Sequence, residues 1–437
     1  MTETLISSLS NIPNLSVKAR SSVFRYKGKE VEPKRVGGEL NVQAVLLGRV
    51  VQRGEDLTLN LELVDANTEN VLWAEKFNRK MKDLVSLQSE IARDVSNKLR
   101  LRLSATEREK VAKTYTANSE AQQLYLKGRF HWNRRTSDDF EKAIEYFKQA
   151  IERDPNYALA HTGLADTYAV MPLYTSRKSK EVMPLAKKAA IKAIELDDNS
   201  AEAHASLAQI LQYFDYDWEG AEKEYKRAIE INPSYPDAHQ WYGELLGATG
   251  RHDDGIAEIK KALKLDPLSL IANRQLGMNL MWARRHDEAI TQLKKTLELD
   301  PNFVPTFQPL DSAYVAKGMH AEAVQSLLKA AKIVGMETEW QQKWKIAFEK
   351  DGWEGFQRTR LEYALLEKKV VQHPDGFLAF LYAIMKDKDR TMENLDKAYE
   401  SRSSLINAIN VHPNFDFLRD DPRFKELIKK VGFPKKK

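Results

Sequence analysis

One interruption recurs along this chain at a fixed interval. Pro233, Pro267 and Pro301 stand 34 residues apart, and Gly335 falls another 34 further on. Each proline sits in a near copy of one stretch, "RAIEINPSY" at 227, "KALKLDPLS" at 261 and "KTLELDPNF" at 295, with "QAIERDPNY" at 149 as an earlier copy. Proline lacks an N–H and disfavours helix in the residue before it, so each copy reads as a helix end followed by a fresh start. Such a chain builds from like units, each too small to stand alone, whose apolar faces are covered by the next copy.

The residues within each unit agree with stacking. In the first helix of successive units a large residue stands beside a small one, with another large residue three further on: Leu164, Ala165 and Tyr168; Leu207, Ala208 and Leu211; Tyr242, Gly243 and Leu246; Leu276, Gly277 and Leu280. Large beside small lets two helices approach closely. The second helices carry the complement, Ala221, Tyr225 and Ala228 in one unit and Ala289, Leu293 and Thr296 in another, at the spacing of a single helix face.

At these residues the sequence resembles the tetratricopeptide repeat family, whose unit is ~34 residues long. Six units are expected between residues 119 and 335, two degenerate ones over 336–402, and a capping segment over 403–437 that gives the last unit a polar outside. The first unit carries about three extra residues around "RRTSDD", and the second a longer insertion, "PLYTSRKSKEVMP", with Asp198 where proline is expected. Insertions in solenoids usually map to loops on one face, so this one is expected to be a surface loop: slack, or a partner contact.

Before residue 104 the period is absent. Leu57, Leu59, Leu61 and Leu63 alternate with Thr58, Asn60 and Glu62 inside a run of three strand-like segments, which predicts an antiparallel meander with one dry face. Leu84, Leu87, Ile91, Val95 and Leu99 then mark a helix able to cover that face, followed by a charged helical connector over 104–118. Residues 1–103 resemble the TolB amino-terminal-like domain through "LISSLSNIPNLSVKARSSVFRYKGKEV", "ELNVQAVLLGRVVQ" and "LWAEKFNRKMKDLVSLQSEIA". With the repeats and the ending "FDFLRDDPRF", nearly the whole chain is similar to the regulatory half of bacterial serine/threonine kinases, adenylate cyclases and winged-helix regulators. Members usually begin this domain with a short apolar strand, and Met1 stands almost at the first helix. The reading therefore allows an upstream domain missing from this chain, or a neighbour that completes the sheet. The expected fold is a small α+β domain followed by an all-α superhelical solenoid.

Catalytic and metal constellations are missing from the sequence. Gly37 and Gly38 are not followed by Lys and Ser or Thr, which removes a phosphate loop and leaves a helix irregularity. The glycine-rich and catalytic loops of a kinase are absent, so the kinase resemblance implies no activity here. "DKDRTMENLDKA" lacks the glycine and third acid of a calcium loop and reads as a helix start. With no cysteine, thiol chemistry and cysteine-zinc sites are excluded. His161, His204 and His239 follow the repeat phase, which gives each an equivalent structural seat rather than one shared ion. No cofactor or metal is expected, and Trp241, Trp282, Trp340, Trp344 and Trp353 are assigned to packing.

What remains is binding. In a tetratricopeptide solenoid the first helices line the concave face, which by register gives Gln209, Tyr213, Gln240, Glu244, Arg274, Met278, Trp282, Gln308 and Ser312 as groove candidates. Their mixture suits adaptable contact with a partner peptide or domain. Family members that clamp a peptide carboxylate use Lys and Asn at set positions, here held by Gln240 and Glu244 or by Arg274 and Met278, so that clamp is not implied. A net charge of +5 on 437 residues, spread rather than blocked, argues against nucleic acid. No apolar run reaches the ~20 residues of a membrane helix, and no basic and apolar leader opens the chain. A cytoplasmic binding protein acting as a scaffold in bacterial signalling is the reading, or a periplasmic one if a membrane-anchored parent exists. The alternative is a sensor fragment of a larger kinase, cyclase or transcription regulator.

Overall fold

The structure, a computed structural model, describes residues 5–6, 9–10, 12, 15–80, 83–99, 116–366 and 374–434. Most of the 104–118 connector, residues 367–373 between the two degenerate repeats and the basic tail lie outside the described residues.

The amino-terminal block runs α1 (Arg20–Phe24), α2 (Pro33–Leu40), β1 (Ala44–Arg53), β2 (Asp56–Asp65), β3 (Val71–Lys80) and α3 (Leu84–Lys98). Its strands form an antiparallel meander in the order β1-β2-β3, with Leu61 opposite Gly48 and Leu59 opposite Phe77. The alternation predicted for β2 is observed: Leu57, Leu59, Leu61 and Leu63 are buried while Asn60 and Glu62 face solvent. Leu87, Ile91, Ala92 and Val95 of α3 cover the dry face, joined by Leu5, Leu9 and Ile12; the Leu84 side chain lies outside the described residues. Gly37 and Gly38 sit within regular helix α2, not at an irregularity. A Cβ on Gly37 would lie 2.5 Å from that of Ala66, so this glycine lets α2 lie against the β2–β3 turn.

Paired antiparallel helices follow. They are α4 (Ser119–Trp132) with α5 (Ser137–Arg153), α6 (Ala158–Tyr174) with α7 (Ser179–Leu196), α8 (Ala201–Ile210) with α9 (Trp218–Ile231), α10 (Pro236–Ala248) with α11 (His252–Leu265), α12 (Leu270–Trp282) with α13 (His286–Leu299), and α14 (Phe307–Ala316) with α15 (His320–Ile333). The long α16 (Thr338–Leu366) is two helices joined at Gly352, where φ is +63°. α17 (Pro374–Ile384) and α18 (Lys388–Glu400) form a further pair, and α19 (Pro422–Val431) ends the chain's helices. The small residues do what the pattern predicts. A Cβ on Gly277 would meet the Leu293 side chain at 2.5 Å, and one on Gly243 would lie 2.7 Å from the Gly255 carbonyl. No helix among the described residues is long and apolar enough to cross a membrane.

Four of the turns between units are built the same way. After a helix ends at Asp154, Asp197, Asn232 or Asp300, its side-chain oxygen accepts the N–H two residues on, at 2.9 to 3.2 Å. The repeat-phased histidines clip this turn to the helices around it. His239 Nε2 donates to the Pro233 carbonyl at 2.9 Å and Nδ1 lies 2.7 Å from Glu258 of the partner helix. His204 does the same with Asp198 and Glu224, and Asn273 takes the seat in the next unit with Pro267 and Gln292. Asp387, the first residue of the supposed calcium loop, caps α18 by accepting the Arg390 N–H at 3.0 Å.

Two expectations are corrected. "PLYTSRKSKEVMP" is not a loop: it lengthens α6 and α7, which absorb Pro172 and Pro184 and leave only four residues between them. The tip so extended meets the far end of the chain, where Ser179 Oγ donates to the Arg402 carbonyl at 3.2 Å. The capping segment does more than close the last unit, because it runs back across the solenoid. Trp218 Nε1 donates to the Val431 carbonyl at 3.0 Å, and its ring stacks on Phe433 with centroids 4.7 Å apart. Arg284 donates to the Val411 carbonyl and grips both oxygens of Asp416, each at 2.7 Å. Phe415, Leu418, Phe424 and Leu427 therefore belong to the same buried core as Leu246, Leu280 and Leu293.

Candidate functional site

The first helices of successive units face inward and surround a cavity of about 890 Å3. More than the solenoid walls this chamber. Ile6, Ser10, Val17 and Ala19 to Ser21 of the amino-terminal block wall one part of it, and Phe377 and Phe380 of α17 with Arg402 to Leu405 and His412 at the start of the returning segment wall another. Eight of the nine candidates, Gln209, Tyr213, Gln240, Glu244, Arg274, Met278, Trp282 and Gln308, line this one space. Ser312 does not. It is buried, and its hydroxyl donates to the Gln308 carbonyl of its own helix at 3.1 Å. Trp282 is part of the wall but also of the solenoid core, which makes it a poor handle for a partner.

Local backbone places several of these groups. Helix α8 continues as a π-helical turn, Leu211–Asp215, and ends at Tyr216 in the left-handed region at φ 59°. That turn carries Gln212 and Tyr213 into the chamber. The Tyr213 hydroxyl donates to Glu244, while Arg274 Nε donates to the Pro305 carbonyl at 2.8 Å. Burial, then the Glu244 charge, holds the Tyr213 proton well above its ordinary range; burial raises Glu244 and lowers Arg274 in turn.

At the other end of the chamber stands a second polar group that the inward register of later units did not include. Arg129 Nη1 donates to Asp166 Oδ2 at 3.0 Å, and the Ser206 hydroxyl donates to the other oxygen. Asp166 occupies in its unit the place that Gln209 and Glu244 hold in theirs, so carrying the register one unit earlier finds it. The Trp132 ring bears two guanidiniums, Arg129 at 4.2 Å and Arg135 at 3.6 Å from its centroid. Arg135 lies in the irregular "RRTSDD" connection with φ 57°, so its signal was the broken period itself. Burial pushes the Asp237 carboxyl up to about 6, helped by the charges of Asp266 and Asp166. Among the described residues no group of three His, Cys, Asp or Glu side chains could hold a metal ion.

Comparison with known proteins bears on what this stack is. Residues 124–157 and 224–257 each match a tetratricopeptide repeat family model. This chain carries tetratricopeptide repeats. Its architecture is that of a protein-interaction scaffold. The amino-terminal block of this repeat protein, residues 1–94, matches the model described as HilA/YgeH-like transcriptional regulator, second domain. Among curated relatives it is similar to "Putative adenylate cyclase 3" of Rhizobium meliloti, 30% identical over 221 residues, which cover 49% of this chain and 36% of that protein. It is also similar to the transcriptional regulator HilA of Salmonella typhimurium, 25% identical over 223 residues, 51% of this chain and 39% of that one. The matched stretches thus span little more than a third of each relative. Of solved structures it is similar to YrrB, described as a TPR protein with an unusual peptide-binding site, at 22% identity and TM-score 0.31, covering 43% of this chain and 91% of that one.

Proposed function

We propose that this repeat protein is a non-enzymatic module of bacterial signalling that holds a segment of a partner protein inside the solenoid. One observation carries the reading. Eight inward positions from four successive units converge on a single chamber that mixes amides, charges, Met and aromatic rings, the composition that suits adaptable contact with peptide. A photo-crosslinking residue placed at Met278 is expected to capture a partner that the same residue at exposed Lys295 does not, and Arg274→Ala with Gln308→Ala is expected to weaken that capture. Equal capture from both positions, or none from either, would refute it.

A second reading is favoured by the comparisons. The stretches matched to an adenylate cyclase and to HilA leave most of each relative unmatched, which supports a regulatory or sensor role toward a larger cyclase, kinase or transcription regulator. The amino-terminal block, whether of the HilA/YgeH or the TolB kind, would then pass the state of the chamber to that larger assembly. A cytoplasmic location belongs to the first reading, and the second allows a periplasmic one where the larger parent is membrane-anchored.

A further inference from the structure

The chamber wall carries five arginines, Arg20, Arg129, Arg135, Arg274 and Arg402, and five carboxylates, Asp166, Glu202, Asp237, Glu244 and Asp266. Such balance does not suit a polyanion. Most of these charges are engaged: Arg129 with Asp166, Glu244 with Tyr213, Asp266 with Ser21 and Ser22, Arg274 with the Pro305 carbonyl. Arg402 is packed over the rings of Tyr216 and Tyr399, at 4.5 and 5.3 Å, and Arg20 and Glu202 have contacts of their own.

Two are not. Arg135 rests on Trp132 at 3.6 Å and near Tyr174 at 5.6 Å, and among the described residues its guanidinium makes no hydrogen bond or ion pair. Asp237 faces the same space, and among the described residues its carboxylate likewise has neither. The two feel each other's field without touching. A bland account exists for each. Asp237 stands in the first turn of α10, where an acid complements the helix dipole, and Arg135 gains from the aromatic face below it. Neither account is sufficient. The surroundings disfavour the charge on both groups, burial being the larger cause in each case. Arg135 also holds a left-handed backbone that a non-glycine residue rarely adopts. Uncompensated charge inside a protein is costly, and it persists where something else supplies the counter-charge.

We propose that the chamber is a binding site for a small zwitterion, whose anionic end is taken by Arg135 and whose ammonium end is taken by Asp237. The guanidinium fork presents paired donors suited to a carboxylate, and the carboxylate of Asp237 accepts from an ammonium. The volume of about 890 Å3 falls in the range of small-molecule sites and holds a free amino acid or a peptide of a few residues with both ends free. The inference does not require the partner proposed above, since it concerns two groups that the inward register of the candidate positions does not contain.

The test is calorimetric titration of the full chain with unbranched zwitterions from glycine to tetraalanine, each compared with its N-acetyl and its C-amide form. At least one free zwitterion is expected to bind, and blocking either end is expected to weaken it roughly tenfold or more, since a half-buried charge is then left unpaired. Arg135→Gln is expected to bind the free acid and the amide alike, and Asp237→Asn to bind the free amine and the acetylated form alike. Both variants are expected to melt no lower than the parent when empty, because each removes an uncompensated charge. Indifference of the parent to both blocked ends, or no binding by any member of the series at 10 mM (roughly a hundredfold above weak small-ligand affinities of ~0.1 mM), overturns the inference without any variant having to fold. A crosslinked partner in the absence of zwitterion binding would leave the scaffold reading standing and remove this one.

Discussion

Ser22 donates its hydroxyl to the carboxylate of Asp266, 244 residues further along the chain. Ser21 takes the other oxygen, and the Leu268 N–H, whose counterparts in four other turns bond to the turn's own side chain, points to Ser22 Oγ instead, at 3.4 Å. Lys18 completes the clasp by donating to the Lys264 carbonyl at 2.6 Å. The turn at Asp266 has thus lent its carboxylate to the amino-terminal block, which is how Val17 and Ala19 to Ser21 come to wall the chamber.

Removing that clasp should free the block from the solenoid without melting either. Hydrogen bonds to a charged acceptor contribute ~1.5–3 kcal/mol each, so Ser21→Ala with Ser22→Ala is expected to raise amide exchange in α1 by about a hundredfold or more. Helix content and the midpoint of solenoid unfolding should stay within error of the parent. Unchanged exchange in α1 would show that other contacts hold it.

Close helix approach at the small residues predicts a cost for a single methyl group. Gly243→Ala places a Cβ against the Gly255 carbonyl, which is backbone and cannot rotate away, so a loss of about 1–3 kcal/mol is expected in denaturant titration. Gly38→Ala, with nothing within 4 Å of the new Cβ, serves as the control. It is expected to be neutral or slightly stabilising, because alanine favours helix.

Arg284 separates backbone from side-chain effects in the returning segment. Its φ of 64° favours glycine, yet its guanidinium holds Val411 and Asp416. Arg284→Gly relieves the backbone and loses the grip, whereas Arg284→Ala does only the latter. Both variants should hasten proteolysis within residues 404–421, with alanine the less stable of the two by about 1 kcal/mol. Equal resistance to protease in the parent and both variants would remove Arg284 as the tether.

His412 gives the chain an acid-sensitive joint. Burial first, then the charges of Arg284 and Arg419, depresses its pKa to about 3. A histidine whose folded pKa lies below its unfolded value of ~6.5 contributes stability that is complete above that value and declines as pH falls toward 3. Between pH 7.5 and 5.5 this one group should cost the parent about 1.4 kcal/mol. His412→Asn keeps an acceptor for the Asn414 N–H but does not titrate. The stability of the parent relative to the variant should therefore fall by about 1.4 kcal/mol between pH 7.5 and pH 5.5. Parallel stability curves would mean that His412 titrates alike in the folded and the unfolded chain.

What could be read in advance follows the range of the interactions. Pro233, Gly243 and Gly277 report contacts within a unit or with the next one, and such contacts repeat, so the period exposed them. Leu57 to Leu63 likewise announce their sheet face through alternation alone. Trp218 and Val431, or Ser22 and Asp266, meet only because the superhelix brings distant turns together, and no local pattern encodes that. The inner positions were legible as a register from Gln209 onward. Arg135 was not, because it sits in an irregular connection whose left-handed backbone carries no propensity signal for arginine. The length of "PLYTSRKSKEVMP" suggested a loop, but Met171 and Met183 are buried in the shared core of α6 and α7, and that burial holds both extensions helical despite Pro172 and Pro184.

An open array of helical pairs stretches like a spring and frays from its ends, since each layer answers only to its neighbours. Here the last helix is bolted to the start of α9 through Trp218 and Val431. That fastening turns the coil into a ring-like clamp. It should resist stretching, lose its layers together rather than one by one, and keep the width of its central opening under the control of both chain ends.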